Sequence, residues 1–195
     1  GTFVTTFFSG IVNENDIVTV GGYPGKLRQV LGIWAEEIDA LLPEQTNEIV
    51  VTNGRGSIAG TYGCGILCDL IHSEGAEIVA EYGSDFYKGM PVLTVNTFGQ
   101  GKAWYVASSP DEAFLRDFVA TVCAEKGIEP LLPPVPGVEV TERRKDGRSY
   151  LFVLNHNAEE AVVQLPADAA KELLTGRAVS GPTAVAAKGV MIVEK

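Results

Sequence analysis

Cys64, Cys68 and His72 recur at i, i+4 and i+8. On a helix that spacing puts all three on one face, and with Asp69 beside them it would suit a zinc ion. Structural zinc also asks for a second pair of ligands, which the chain does not supply. Gly63 and Gly65 further disfavour a helix through Cys64. The three are therefore read as packed thiols and an ordinary histidine. A second set is acidic: Glu36, Glu37 and Asp39. Two carboxyls cleave a glycosidic bond with retention when they stand about 5 Å apart across a pocket. Neighbours on a helix point apart, so these acids are read as a solvated face. A third set is the glycine run over residues 53–65, in which five of thirteen residues are glycine. A phosphate cradle needs a Lys-Ser/Thr or a G-x-G-x-x-G register. Here Gly54-Arg55-Gly56 is followed by three residues before Gly60, so an irregular surface loop is expected. The aromatic residues Tyr23, Trp34, Tyr62, Phe86, Tyr87 and Trp104 could stack on a sugar, and are read first as packing. No catalytic, binding or metal residue is assigned, and no cofactor.

The elements that would position these residues begin at the N-terminus. Residues 2–8 read as a buried strand. Asn13-Glu14-Asn15-Asp16 is a turn, because Asn and Asp side chains bond their own backbone. Ile17-Val18-Thr19-Val20 suits a short strand. Pro24 stands where a helix could open. Leu27, Val30, Leu31, Trp34, Ile38 and Leu41 follow at helical spacing, which predicts an amphipathic helix over 24–42. Short strands are expected at 49–51 and 76–82. A hairpin is expected from 92–98 and 102–107 around Gly99-Gln100-Gly101, which explains that glycine pair better than a phosphate site does. Ser109-Pro110-Asp111-Glu112 reads as a helix start, with Ser109 as cap and Glu112 completing a capping box. Phe114, Leu115, Phe118, Val119, Val122 and Cys123 would be its apolar face, and Gly127 its C′ residue.

Four prolines fall within residues 129–137, which favours a stiff connector. Beyond it the pattern is β: an alternating run at 138–143, an Asp146-Gly147 turn, and strands at 150–155 and 161–165. Residues 167–174 suit a short helix or loop. Runs at 183–187 and 190–193 would pair across Lys188-Gly189. A region this small is marginal alone.

Of the net charge of −10, nine units lie in residues 1–128, with seven Lys/Arg against sixteen Asp/Glu. Such a field repels a phosphate backbone and argues against nucleic acid as a partner. No run reaches the roughly 18 apolar residues of a membrane span, and no signal peptide is visible. Three cysteines, an odd number, suit a reducing compartment.

One resemblance spans the chain. S-G-I-V-N-E-N-D over 9–16, with G-G-Y-P-G-K-L-R-Q-V-L-G-I-W-A-E-E-I-D-A-L over 21–41, resembles the second domain of glycoside hydrolase family 42 β-galactosidases. The likeness continues through 67–72, 74–77, 85–87, Pro91, 92–96 and 99–105, and through 151–156 and 173–176. The resemblance implies a parent with three parts: a (β/α)8 barrel holding two catalytic glutamates, an α/β domain that forms a trimer, and a small β domain. This chain is similar to most of the second and all of the third. The expected fold is an incomplete flavodoxin/glutamine-amidotransferase-like α/β domain at 1–128, lacking its first strands and helices. A linker at 129–137 and a small all-β sandwich-like domain at 138–195 follow. No residue matches a family catalytic position. The implied role is cytoplasmic, non-catalytic oligomerisation within a retaining enzyme that hydrolyses terminal β-galactosides, with itself and the barrel as partners. The alternative is a free-standing carbohydrate- or protein-binding module. Gly63-Cys64-Gly65 with His72-Ser73-Glu74 also invites comparison with class I glutamine amidotransferases. The elements are too close together for that arrangement, and no apolar strand leads into Cys64, so a Cys64 nucleophile is not assigned.

Overall fold

The computed structural model describes residues 1–167 and 171–194. The chain divides into two compact units, Gly1–Gly127 and Ile128–Lys195. The described residues are mostly β sheet with few helices. Among them no helix is long and apolar enough to cross a membrane.

The first unit contains β1 (Thr2–Thr6), a 3-10 turn (Gly25–Leu27), α1 (Arg28–Leu31), β2 (Ile33–Ala40), β3 (Asn47–Val51), β4 (Thr61–Ser73), β5 (Glu77–Tyr82), β6 (Pro91–Phe98), β7 (Gly101–Val106), β8 (Ser108–Pro110) and α2 (Glu112–Glu125). They form one eight-stranded sheet in the order β1-β7-β6-β5-β3-β4-β2, with β8 added against β4. The β1–β7 pair is parallel and the other pairings between these strands are antiparallel. Ile33, Ile49, Ile71, Leu93, Trp104 and Tyr105 lie fully buried in its core. Helix α2 brings Phe114 and Phe118 onto this core, with Phe118 edge-on to Trp104 at 5.4 Å between ring centroids. Such aromatic pairs add to the area they bury.

Several expectations are corrected here. The helix expected over 24–42 is a short 3-10 turn, one turn of α1, and then the edge strand β2. Gly32 ends α1 in the left-handed conformation, with φ of +62°. A Cβ at Gly32 would lie 2.8 Å from the Asn96 side chain. Asn96 Nδ2 instead donates to the free carbonyl of Val30 at 2.9 Å. The chain then leaves as a strand whose buried residues, Ile33 and Ala35, alternate. The helical spacing of Trp34, Ile38 and Leu41 was coincidental. The expected flavodoxin-like α/β layering is accordingly not what the described residues form; their one long helix is α2.

Strand β1 is an edge rather than a buried strand, with Phe3 and Val4 exposed. Residues 61–65, expected in a loop, open the thirteen-residue strand β4. The cap of α2 is Asp111, whose side chain accepts from Phe114 N at 2.8 Å, and Ser109 lies in β8. The buried face of α2 is Phe114, Phe118 and Thr121, leaving Leu115 and Val119 exposed. Gly127 does follow the helix with φ of +62°.

The second unit contains β9 (Val138–Lys145), β10 (Arg148–Asn155), β11 (Ala161–Leu165), β12 (Lys171–Glu172), β13 (Gly181–Val185) and β14 (Val190–Glu194). They make a four-stranded sheet, β12-β14-β10-β9, and a two-stranded sheet, β11-β13. The Asp146-Gly147 turn joins β9 to β10, both residues having positive φ. β13 and β14 do not pair with each other as expected: β13 joins β11 and β14 joins β10. Residues 168–170 of the expected helix or loop lie outside the described residues, and Lys171–Glu172 is a strand. The core is Leu132, Leu151, Val153, Val163, Leu165, Val185, Met191 and Val193, so the proline-rich run contributes a buried side chain.

Candidate functional site

The part of the first unit that stands out is the segment between β1 and α1. It leaves the sheet at Phe8, whose φ is +63°. A bulky residue holds that conformation only where its surroundings impose it. Phe8 N donates to Asp69 Oδ2 at 3.1 Å. Asp69 is fully buried, and the buried Tyr105 hydroxyl donates to the same oxygen. Burial pushes the Asp69 carboxyl above the usual carboxylate range, against the Tyr105 hydroxyl, the Phe8 amide and Tyr23, which favour the ionised form. Burial and the Asp69 charge likewise push the Tyr105 phenol up.

From this anchor residues 11–19 fold back on themselves. Thr19 N donates to Ile11 O at 2.8 Å and Asn13 N to Ile17 O at 2.9 Å, and Val12 bridges to Val18. The expected turn is present: Asn13 Oδ1 accepts from Asn15 N at 2.9 Å and Ile17 N at 3.1 Å. The expected strand over 17–20 is reduced to the single Val18 bridge. The segment returns through Gly21 and Gly22 to a cis Tyr23–Pro24 bond. Ala35 N then donates to Tyr23 O at 2.6 Å, docking the return on the edge of β2. The base of the hairpin has room only for glycine at one point: a Cβ on Gly10 would lie 2.5 Å from Pro24 O.

This well-braced hairpin presents apolar side chains to solvent. Val12, Ile17, Val18 and Val20 are 46%, 61%, 62% and 96% exposed. They border an open concavity of about 880 Å³ that Pro24 and Leu27 also line. An ion pair between Lys26 and Glu14, at 3.2 Å, sits at its rim. A rigid element that exposes clustered β-branched side chains marks a contact surface more often than a free one.

The sequence-nominated groups fall elsewhere. Glu36 pairs with His72 Nε2 at 2.8 Å, and His72 stacks on Trp34 with centroids 4.6 Å apart. Asp39 accepts from the Tyr87 hydroxyl at 2.9 Å, and Glu37 offers its backbone carbonyl to Tyr23. The three acids thus serve three different partners and do not face one another as a catalytic pair. Cys64 and Cys68 are brought together, but His72 is not with them. Among the described residues no group of three His, Cys, Asp or Glu side chains could hold a metal ion. His72 is bonded to Glu36, and Glu74 to Arg28 through a bidentate pair, so neither serves Cys64 as a base. The glycine run is a clasp: Arg55 pairs with Glu125 at 2.8 Å and Glu77 at 3.1 Å, and Ser57 N donates to Thr121 Oγ1. Trp104 packs under Arg55 and Tyr62 and Tyr87 are buried, as the packing reading expects, while Phe86 is exposed. Sequence reasoning missed the anchor formed by Phe8, Asp69 and Tyr105. The only local signal for it was Ser9-Gly10 after an aromatic pair.

Comparison with known proteins gives this geometry a context. The beta-galactosidase trimerisation domain matches residues 1–129, and the beta-galactosidase C-terminal domain matches residues 137–195. Beta-galactosidase BgaA of Planococcus sp. (strain 'SOS Orange') is 67% identical over 195 residues, covering 100% of this chain and 29% of that protein. Beta-galactosidase Pbg of Clostridium perfringens is 42% identical over 200 residues, again covering 100% of this chain and 29% of the relative. The crystal structure of beta-galactosidase from Bacillus circulans sp. alkalophilus superposes with a TM-score of 0.94 at 62% identity, covering 100% of this chain and 29% of that one. The chain therefore spans less than a third of the length of these relatives. With both its parts matched, the chain belongs to the glycoside hydrolase family 42 β-galactosidases, as their trimerisation and C-terminal domains and not their catalytic barrel.

Proposed function

We propose that this chain is the non-catalytic assembly segment of a protein that hydrolyses terminal β-D-galactosides with retention. The parent's catalytic glutamates would lie in a barrel in the remainder of its length. The division expected from the sequence, 1–128, 129–137 and 138–195, would then separate a self-association domain from a closing β domain. The observation that carries this reading is the braced hairpin of residues 11–19 with Val12, Ile17 and Val18 turned to solvent. Its partner is a second copy of the chain, in a homotrimer. The open edge of β1 supports a second contact. β1 runs parallel to β7, and parallel strands ordinarily lie within covered α/β layers. Elements of the parent packed there would complete the flavodoxin-like layering expected from the sequence. The acidic first unit and the free thiols fit a cytoplasmic protein without a nucleic-acid partner.

Sedimentation equilibrium tests the reading. The chain should sediment as a trimer, and Val18→Asp with Val20→Asp should shift it to monomer with the fold unchanged by circular dichroism. The chain should leave a chromogenic galactoside uncleaved. A monomeric parent chain, or galactoside cleavage by this segment alone, would overturn the proposal.

A further inference from the structure

Cys64 and Cys68 lie four residues apart on β4. In a regular strand that separates their Cα atoms by about 13 Å. β4 is not regular at this point. Its pairing with β8 runs Cys64 to Pro110, Gly65 to Ser109 and then Cys68 to Ser108, so Ile66 and Leu67 are extra residues on the side of β4 that faces β8. Ile66 adopts φ of +65°, a conformation a β-branched residue takes only under constraint. The bulge leaves the two cysteines opposite residues two positions apart. That spacing is about 6.6 Å along a strand, within the roughly 4.4–6.8 Å Cα separation of disulfides. Residues opposite i and i+2 also face the same side of a sheet.

The side chains meet accordingly. The two thiols are near enough to shift one another's ionisation, and Ser108 Oγ lies 3.4 Å from Cys68 Sγ. Both cysteines are buried, yet Cys64 lines an open groove of about 540 Å³ with Leu42, Pro43, Ile66 and Pro110. The thiols titrate as a pair: the Cys64 thiol and Ser108 pull Cys68 down, while its Cys68 neighbour and burial push Cys64 up. Loss of one proton leaves one negative charge between the two sulfurs.

We propose that Cys64 and Cys68 form a reversible dithiol–disulfide site, oxidised by a small peroxide that enters along the groove. The inference rests on the bulge and is independent of how the chain assembles. Cys64, the thiol that lines the groove, passes its proton to the Cys68 thiolate and attacks one peroxide oxygen. An S–O bond forms, the O–O bond breaks, and hydroxide leaves and takes a proton from solvent. The second sulfur then attacks the sulfenic acid. The S–S bond forms, the S–O bond breaks, and water departs with the second thiol's proton. Two thiols and one hydrogen peroxide give one disulfide and two waters. The disulfide would close the ends of the bulge and stiffen the groove wall at Ile66.

The test is hydrogen peroxide treatment of the folded chain, followed by alkylation in denaturant and peptide mapping by mass spectrometry. Cys64 and Cys68 should become joined and resist alkylation until a thiol reductant is added, while Cys123 stays free of disulfide. The joined form should appear roughly tenfold or more faster in the folded chain than in urea, since the fold holds the sulfurs together. Cys64→Ala and Cys68→Ala should each abolish the product and leave the remaining thiol alkylatable or over-oxidised. Equal rates in folded and unfolded chain, or pairing with Cys123 instead, would overturn the proposal.

Discussion

Replacing Tyr105 by Phe removes a single hydroxyl from the buried anchor and little else, because the ring keeps its place in the core. That hydroxyl donates to Asp69 Oδ2, which also receives the Phe8 amide. A hydrogen bond to a charged group contributes about 1.5–3 kcal/mol, and an under-solvated buried carboxylate lies at the upper end. The expected loss is about 2.5 kcal/mol at neutral pH. The sign of its pH dependence follows from Asp69. Its folded pKa is raised by burial, so stability linked to this group is fully present below the unfolded value and is lost as pH rises through the folded one. Removing a donor to the ionised form raises the folded pKa further. The cost of Tyr105→Phe is therefore greatest at neutral pH and shrinks in mild acid to about 1 kcal/mol, the worth of a neutral hydrogen bond. Both tryptophans, Trp34 and Trp104, lie in the first unit, so urea titration followed by tryptophan fluorescence reports that unit alone. Amide exchange at Phe8 should rise in the variant, because its acceptor is no longer held. A loss below about 0.5 kcal/mol at neutral pH, or one that does not change with pH, would refute the reasoning that a charged Asp69 braces the hairpin.

Three further outcomes are expected. Gly10→Ala should destabilise the first unit by about 2–3 kcal/mol, because it places a Cβ against Pro24 O at a positive φ; thermal unfolding monitored by tryptophan fluorescence reads this. Glu172→Gln should cost the second unit about 2 kcal/mol at neutral pH. The Glu172 carboxylate accepts from Leu174 N, Thr175 N and Oγ1, and Ile192 N, which hold its pKa down to about 2. That stability is present above the unfolded value of 4.5 and lost as pH falls toward about 2, so circular dichroism melts of variant and parent should converge in acid. Asn155→Ala should cost about 3 kcal/mol and loosen β11 against β13 in hydrogen exchange, since the buried Nδ2 serves the carbonyls of Glu159, Val185 and Ala186.

The amino-acid sequence determined by itself those features whose cause is local. The Asn13 turn, the Asp146-Gly147 turn, the β6–β7 hairpin and the helix after Pro110 all follow from side chains bonding their own backbone or from glycine at positive φ. The motif run from Ser9 to Leu41 also carried the family, since such strings are specific whatever their conformation. Long-range partners decided the rest. Residues 33–40 carry a helical spacing, yet Gly32 packed against Asn96 stops the helix and hydrogen bonding to β4 makes them a strand. β13 reads as half of a hairpin with β14, but burial of Val185 with Val163 and Leu165 in one core with the other sheet draws it to β11. The pairing of Cys64 with Cys68 depends on a bulge that no periodicity shows. The anchor of the hairpin joins residues 8, 69 and 105. Periodicity reports which face of a segment is apolar; it carries no information about which distant segment covers that face, and that choice is what set the strand order, the buried Asp69 and the surface left open.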